Sequence, residues 1–236
     1  MLQLVKEKKT IIFSDFDGTI TERDVIVMVM EKFAPPEWVK LKDQILYERT
    51  ISLKEGIEKL FGLIGSNKKE EIIDFVKKEA KLRSGFPEFV DFCRLENIEL
   101  NVFSASLDFL IEPLLKDFKN KLKIFSNGAD FSSEKISINY NYLPKNCSLC
   151  GTCGCCKVEI IEKYPKEHFI RVVIGDGLAE LAPSKIADLV FARGNLIKLL
   201  EQEKISYIPF QNFHEVQKQL IKNVSANQRN GEPAKG

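Results

Sequence analysis

The sequence predicts an α/β fold: a parallel sheet core interrupted near its start by a helical insertion. Three observations carry this expectation. The run Thr10-Ile11-Ile12-Phe13-Ser14 is short, apolar and β-branched, and reads as a parallel strand covered on both faces. From about 21 to 83, successive stretches show helical apolar spacing with no strand between them. From about 84 onward, strand and helix signals alternate.

The first strand runs straight into Asp15-Phe16-Asp17-Gly18-Thr19. Open α/β sheets place their chemistry at the carboxyl ends of their strands. Asp15 and Asp17 stand two residues apart there, and close carboxylates repel unless they share a cation or a proton. An ordinary Asp-Gly turn needs only one carboxylate. The second Asp, with Thr19 beyond it, points to a reaction centre.

Composition narrows the classes. The 236-residue chain is 44% hydrophobic and 29% charged, which suits one large globular domain or a core with a smaller insertion. A net charge of +1 with no basic stripe argues against a nucleic-acid partner. The charged stretch 1–9 lacks the apolar segment of a signal peptide, and no run approaches the ~20 apolar residues that span a bilayer. The expected compartment is the reducing cytosol, with no membrane partner.

Within the insertion, helices are expected at 25–33, 37–47, 52–64 and 68–81. Pro35-Pro36 breaks the first from the second, and Ser52 with Glu55 three residues on makes a capping-box start for the third. Such a cap would keep bulk water from a charged centre and touch the organic part of a substrate. Gly85-Phe86-Pro87 opens a helix to 95, and a second strand over 98–103 ends in Ser104-Ala105-Ser106. A hydroxyl at such a strand end can hold an anionic oxygen together with nearby backbone N–H groups, or it can cap the helix expected over 107–115. A strand at 122–125, a turn at 127–130 and a hairpin strand at 136–142 follow.

The loop 145–157 carries Cys147, Cys150, Cys153, Cys155 and Cys156, and only Cys93 lies elsewhere. In a reducing compartment such density favours metal ligation over disulfides. Thiolates around zinc would suit, with Cys147 and Cys150 as one pair and two of the remaining three completing the set. A reversible disulfide and thiols without a metal are the alternatives. Lys157 follows at once and begins a helix to 164. A strand over 171–174 runs into Gly175-Asp176-Gly177-Leu178-Ala179-Glu180. A strand at 189–191, a helix at 195–201, a short segment at 207–208 and a helix at 212–222 close the chain. The tail 225–236 lacks large apolar residues and is expected to be disordered.

In this order the motifs resemble those of the haloacid-dehalogenase (HAD) superfamily of phosphohydrolases. The resemblance rests on DxDGT after an apolar strand, Ser at the next strand end, Lys at a helix start, and GDGxx plus an acid. It implies a Rossmann-like core of the HAD type over 1–20 and 84–224, with 21–83 as an inserted helical C1 cap. It also implies Mg²⁺ and hydrolysis of a small phosphate monoester through an aspartyl-phosphate. Asp15 would be the nucleophile and Asp17 the acid and base. Ser104, the Ala105 backbone and Lys157 would orient the phosphoryl group, leaving Ser106 the capping role. Asp15, Asp176 and the Asp17 carbonyl would hold the metal. Glu180 stands where Asp is usual, so it is expected to reach the metal through water, or else to be a solvated acid in a first helical turn.

The Cys-rich stretch before Lys157 and the segment Ala187-Asp188-Leu189-Val190-Phe191-Ala192-Arg193 resemble a narrower, methionine-salvage clade acting on 2-hydroxy-3-keto-5-methylthiopentenyl-1-phosphate. Phosphocholine, phosphoethanolamine and phosphoserine phosphatases and a phosphotransferase on the same site are the nearer rivals. A metal-binding or redox-sensing Cys-loop protein with a decayed Asp site is the rival of another class.

Overall fold

The β-branched first strand is buried along its apolar length, Ile11, Ile12 and Phe13 having no exposed surface, because the sheet covers its edges and helices cover its faces. The computed structural model describes residues 8–147, 149 and 153–229. Among these, seven strands form one sheet: β1 (Lys9–Ser14), β2 (Glu99–Leu107), β3 (Lys123–Asp130), β4 (Ser137–Asn139), β5 (Phe169–Gly175), β6 (Leu189–Ala192) and β7 (Ile208–Pro209). Their order is β4-β3-β2-β1-β5-β6-β7. Every pairing is parallel except that of β3 with β4. The fold is therefore α/β and Rossmann-like, as the sequence predicts, with one antiparallel edge.

The insertion is helical throughout: α1 (Val25–Phe33), α2 (Trp38–Leu46), α3 (Leu53–Phe61) and α4 (Lys69–Glu79). Ser52 caps α3 by accepting the Glu55 N–H at 3.1 Å. Thr21 and Leu82 pair where the chain leaves and rejoins the core, and the Arg83 N–H reaches the Ile20 carbonyl at 2.7 Å. The insertion also touches the core away from this neck. Ser66 donates to the Glu134 carbonyl and Ile136 to the Ile64 carbonyl, so the link between β3 and β4 supports the far side of the insertion. Phe61 and Phe109 meet edge-on at 6.3 Å in an apolar cluster shared by both parts.

The core helices are α5 (Phe86–Leu95), α6 (Asp108–Leu115), α7 (Lys157–Glu162), α8 (Leu181–Ser184), α9 (Gly194–Gln202) and α10 (Phe213–Arg229). Three expectations are corrected. Residues 127–130 are not a turn but the second half of β3, where Gly128, Ala129 and Asp130 pair with β4. Ser106 caps nothing: β2 continues through it to Leu107, which pairs with Asn127, and α6 starts only at Asp108. In both places continued strand pairing overrides a local turn or cap signal. The last helix continues to Arg229, into the stretch expected to be disordered from 225. The remainder of that tail, 230–236, lies outside the described residues. No helix among the described residues is long and apolar enough to cross a membrane.

Candidate active site

The chain turns sharply at the end of β1. Phe16–Ile20 form a single wide turn, closed by the Thr21 N–H on the Phe16 carbonyl at 3.1 Å. Gly18 sits at φ +76°, and a Cβ there would collide with Asp176 Oδ2. A side chain at this position would push the turn away from the end of β5, so the glycine is what lets Asp176 stand beside Asp15 and Asp17.

Asp15 is 7% exposed and its Oδ1 accepts from Lys157 Nζ at 2.6 Å. The same ammonium binds Glu180 Oε1 and lies 4.5 Å from the centre of the Phe103 ring. Burial works against the charge on Lys157, but the carboxylates of Asp15 and Glu180 outweigh it and hold the ammonium above its ordinary range. Glu180 is 1% exposed, which rules out a solvated first-turn acid. Its second oxygen accepts the Gly177 N–H at 3.2 Å. Both ends of this carboxylate are thus engaged by protein donors.

Asp17 points elsewhere. Its Oδ1 accepts the Val25 N–H at the start of the cap at 3.0 Å, and its Oδ2 lies 3.3 Å from Ser104 Oγ. Burial, then the charges of Asp24 and Asp15, push its carboxyl well above the ordinary range. Ser104 Oγ also accepts the Ser106 N–H at 3.0 Å. The Ala105 carbonyl is tied to Asn127 Nδ2 at 3.2 Å, which fixes the irregular end of β2.

Asp176 follows β5 and accepts from Thr19 Oγ1 at 3.3 Å. Burial and the Asp15 charge push its carboxyl up to about 7. Asp15, Asp176 and Glu180 each offer an oxygen within 4.8 Å of the others. With the Glu180 oxygens committed to Lys157 and Gly177, the carboxylates of Asp15 and Asp176 are the hard oxygen donors a divalent cation such as Mg²⁺ takes, and the cation would offset the repulsion that raises Asp176.

All seven residues expected from the motifs line one cavity of about 560 Å³, which the inserted helices also line: Asp15, Asp17, Ser104, Ala105, Lys157, Asp176 and Glu180. Cys153 and Cys155 line it too. Cys155 is 2% exposed and packs with Phe13, Phe103 and Ile161, and burial pushes its thiol up to about 12. Cys150 lies outside the described residues. Sequence reasoning missed Arg83, Arg193 and Asn127. Arg83 donates to the carbonyls of Gly18, Thr19, Thr21 and Glu22, and Arg193 also donates to that of Gly18. The two arginines brace the turn that carries Asp17. Nothing local separates them from the other 33 of the chain's 35 lysines and arginines (35 − 2 = 33).

Comparison with known proteins places the chain in a family. Residues 10–224 match the family described as Putative Phosphatase. The chain is 47% identical over 212 residues to a 2-hydroxy-3-keto-5-methylthiopentenyl-1-phosphate phosphatase of Brevibacillus brevis, covering 89% of this chain and 94% of that protein. It is 44% identical over 210 residues to the protein of the same name from Geobacillus thermodenitrificans, with the same coverage. Among solved structures, a phospho-aspartyl intermediate analogue of phosphoserine phosphatase superposes with a TM-score of 0.66 at 21% identity, covering 90% of this chain and 99% of that one. At that identity the likeness is one of fold. The chain belongs to the Putative Phosphatase family, as a phosphoric monoester hydrolase that resembles the 2-hydroxy-3-keto-5-methylthiopentenyl-1-phosphate phosphatases and shares its fold with phosphoserine phosphatase.

Proposed function

We propose that the protein is a Mg²⁺-dependent phosphatase that hydrolyses 2-hydroxy-3-keto-5-methylthiopentenyl-1-phosphate through an aspartyl-phosphate. The observation that carries the reading is the buried Lys157 ammonium on Asp15, both lining a cavity of about 560 Å³. Residues 1–20 and 84–224 act as the core and 21–83 as its cap.

Asp15 attacks phosphorus with its free carboxylate oxygen, which splits one displacement into two easier ones. Asp17, held between the cap and Ser104, gives a proton to the leaving alkoxide and takes one from the water that later attacks the aspartyl-phosphate. Ser104 and Lys157 orient the phosphoryl oxygens, and the ammonium offsets charge as it develops there. Asp15, Asp176 and the Asp17 carbonyl would hold Mg²⁺, which supplies Lewis-acid charge neutralisation when bound. Both Glu180 oxygens are committed to Lys157 and Gly177, so it serves the ammonium first and the metal through water at most.

The spacing of the cysteines in the sequence suggests a second, structural metal. Cys155 packs with Phe13, Phe103 and Ile161, and the other four, Cys147, Cys150, Cys153 and Cys156, are evenly spaced three apart in the sequence. Four thiolates are the set zinc takes in a closed structural site.

Asp15→Asn tests the central step, because the amide keeps the shape but cannot attack. Phosphate release should fall by about 10⁴-fold or more, as for loss of other enzymic nucleophiles. Near-normal release, with deamidation excluded by mass spectrometry, rejects the nucleophile.

A further inference from the structure

The cavity has two unlike ends. The core end holds the carboxylates and Lys157, while the cap contributes a wall of aliphatic side chains. Ile45, Ile57 and Leu60 form the deep part of that wall and are 7%, 3% and 5% exposed. Leu46 lines the cavity while remaining 43% exposed, an apolar side chain with surface left to cover. The wall is held in shape by Gly56 in α3. A Cβ there would run into Ile45 Cγ1 and Cδ1, so its absence lets α2 and α3 close on each other with Ile45 between them. The charged residues of the insertion on the cavity are Asp24, Lys42 and Arg49; Lys42 is half-buried and the other two are exposed, so none stands among Ile45, Ile57 and Leu60 in the buried part of the wall.

We infer that the wall formed by Ile45, Leu46, Ile57 and Leu60 is the selectivity subsite for an uncharged, thioether-sized tail at the end of the substrate remote from its phosphate. This rests on the proposed phosphatase chemistry and adds which residues choose the substrate. A methylthio tail gains by leaving water against aliphatic side chains, and its polarizable sulfur adapts to an irregular wall. An ammonium or carboxylate tail placed against Ile45, Ile57 and Leu60 would lose its hydration without gaining a partner there. The cap thus favours one class of ester and penalises the zwitterionic one.

The test compares kcat/KM for three substrates with Mg²⁺ present: 2-hydroxy-3-keto-5-methylthiopentenyl-1-phosphate, dihydroxyacetone phosphate, which lacks the tail, and O-phosphoserine, whose tail is charged. The wild-type chain should prefer the methylthio ester over each of the others by about tenfold or more, the scale of discrimination an apolar pocket achieves. The ratio of methylthio ester to dihydroxyacetone phosphate should drop about tenfold in Ile57→Ser. It should drop in the same direction in Leu46→Ser, where the exposed position removes any difficulty in folding. Equal rates, a preference for O-phosphoserine, or a ratio unmoved in Leu46→Ser would overturn the subsite while leaving the phosphatase chemistry intact. Hydrolysis of none of the three would overturn that chemistry and the subsite with it.

Discussion

Glu180 meets Lys157 in the interior of the protein, where their side chains are 2% and 3% exposed. Lys157 also binds Asp15, so one ammonium links the acid of the last motif to the acid of the first. A lone buried ammonium–carboxylate pair barely repays its desolvation, but removing one partner from such a group leaves charge uncompensated. Glu180→Gln should therefore cost about 3 kcal/mol of stability in chemical denaturation, the usual scale for breaking a buried pair. Turnover should fall with it, since Lys157 then swings toward Asp15 alone. Glu180→Asp keeps the charge one methylene short and should retain more of both. Equal losses in the two variants would mean that charge on Lys157 is not what Glu180 supplies.

Asp17 is held by the Val25 N–H and Ser104 rather than by Lys157, which suits the acid role proposed for it. Its contribution should depend on the leaving group. For an alkyl phosphate, Asp17→Asn should lose about 10²–10⁴-fold in kcat, the usual worth of general acid catalysis. For p-nitrophenyl phosphate, whose leaving group needs little protonation, the loss should be markedly smaller. The same loss on both substrates would remove the acid role.

That Asp15, Asp17, Ser104 and Asp176 would come together was legible in the sequence, because the three aspartates lie just past strand ends and Ser104 lies in the carboxyl-terminal half of β2, within short motifs. Glu180 was harder. Its residue type predicted reach toward a metal, yet the fold turns it onto Lys157, a contact between residues 23 positions apart. Arg83 and Arg193 were invisible because their partners are backbone carbonyls, which any residue provides. The turn expected at 127–130 failed for a related reason. Asn, Gly and Asp signal a turn locally, but β4 lies alongside and supplies ladder partners that no local window contains. The cap's helices were legible from their apolar period, while the cavity wall they build depends on how α2 and α3 close over Gly56.

Arg83 gives a prediction at the neck of the cap. Its guanidinium, 7% exposed, satisfies carbonyls on both sides of the point where the chain leaves the core. Hydrogen bonds from a charged donor are the stronger kind, and buried carbonyls left bare carry a desolvation cost. Arg83→Ala should destabilise the protein by about 3 kcal/mol. Arg83→Lys should recover only part of this, because a point ammonium cannot reproduce the planar fork. Since the same carbonyls shape the turn carrying Asp17, kcat should fall more than KM rises. A variant with normal stability and turnover would show the clamp to be dispensable.

Cys156 directly precedes Lys157 and its N–H bonds the Tyr142 carbonyl at 2.7 Å, so whatever orders this end of the Cys loop also sets the start of α7. If zinc does so, its binding free energy adds to the folding of the segment it ligates. Protein purified without chelators or a His-tag should carry about one zinc per chain, the stoichiometry of a four-thiolate site. Cys147→Ser should lose that zinc and lower thermal stability and turnover together, and added Mg²⁺ should restore neither. Cys155→Ala removes a thiol packed in the apolar core and should keep the zinc, with the modest stability loss of a small cavity. Elemental analysis decides between the outcomes. Absent zinc with titratable thiols rejects the metal, absent zinc with protected thiols points to a disulfide, and zinc lost in Cys155→Ala would put that residue among the ligands instead.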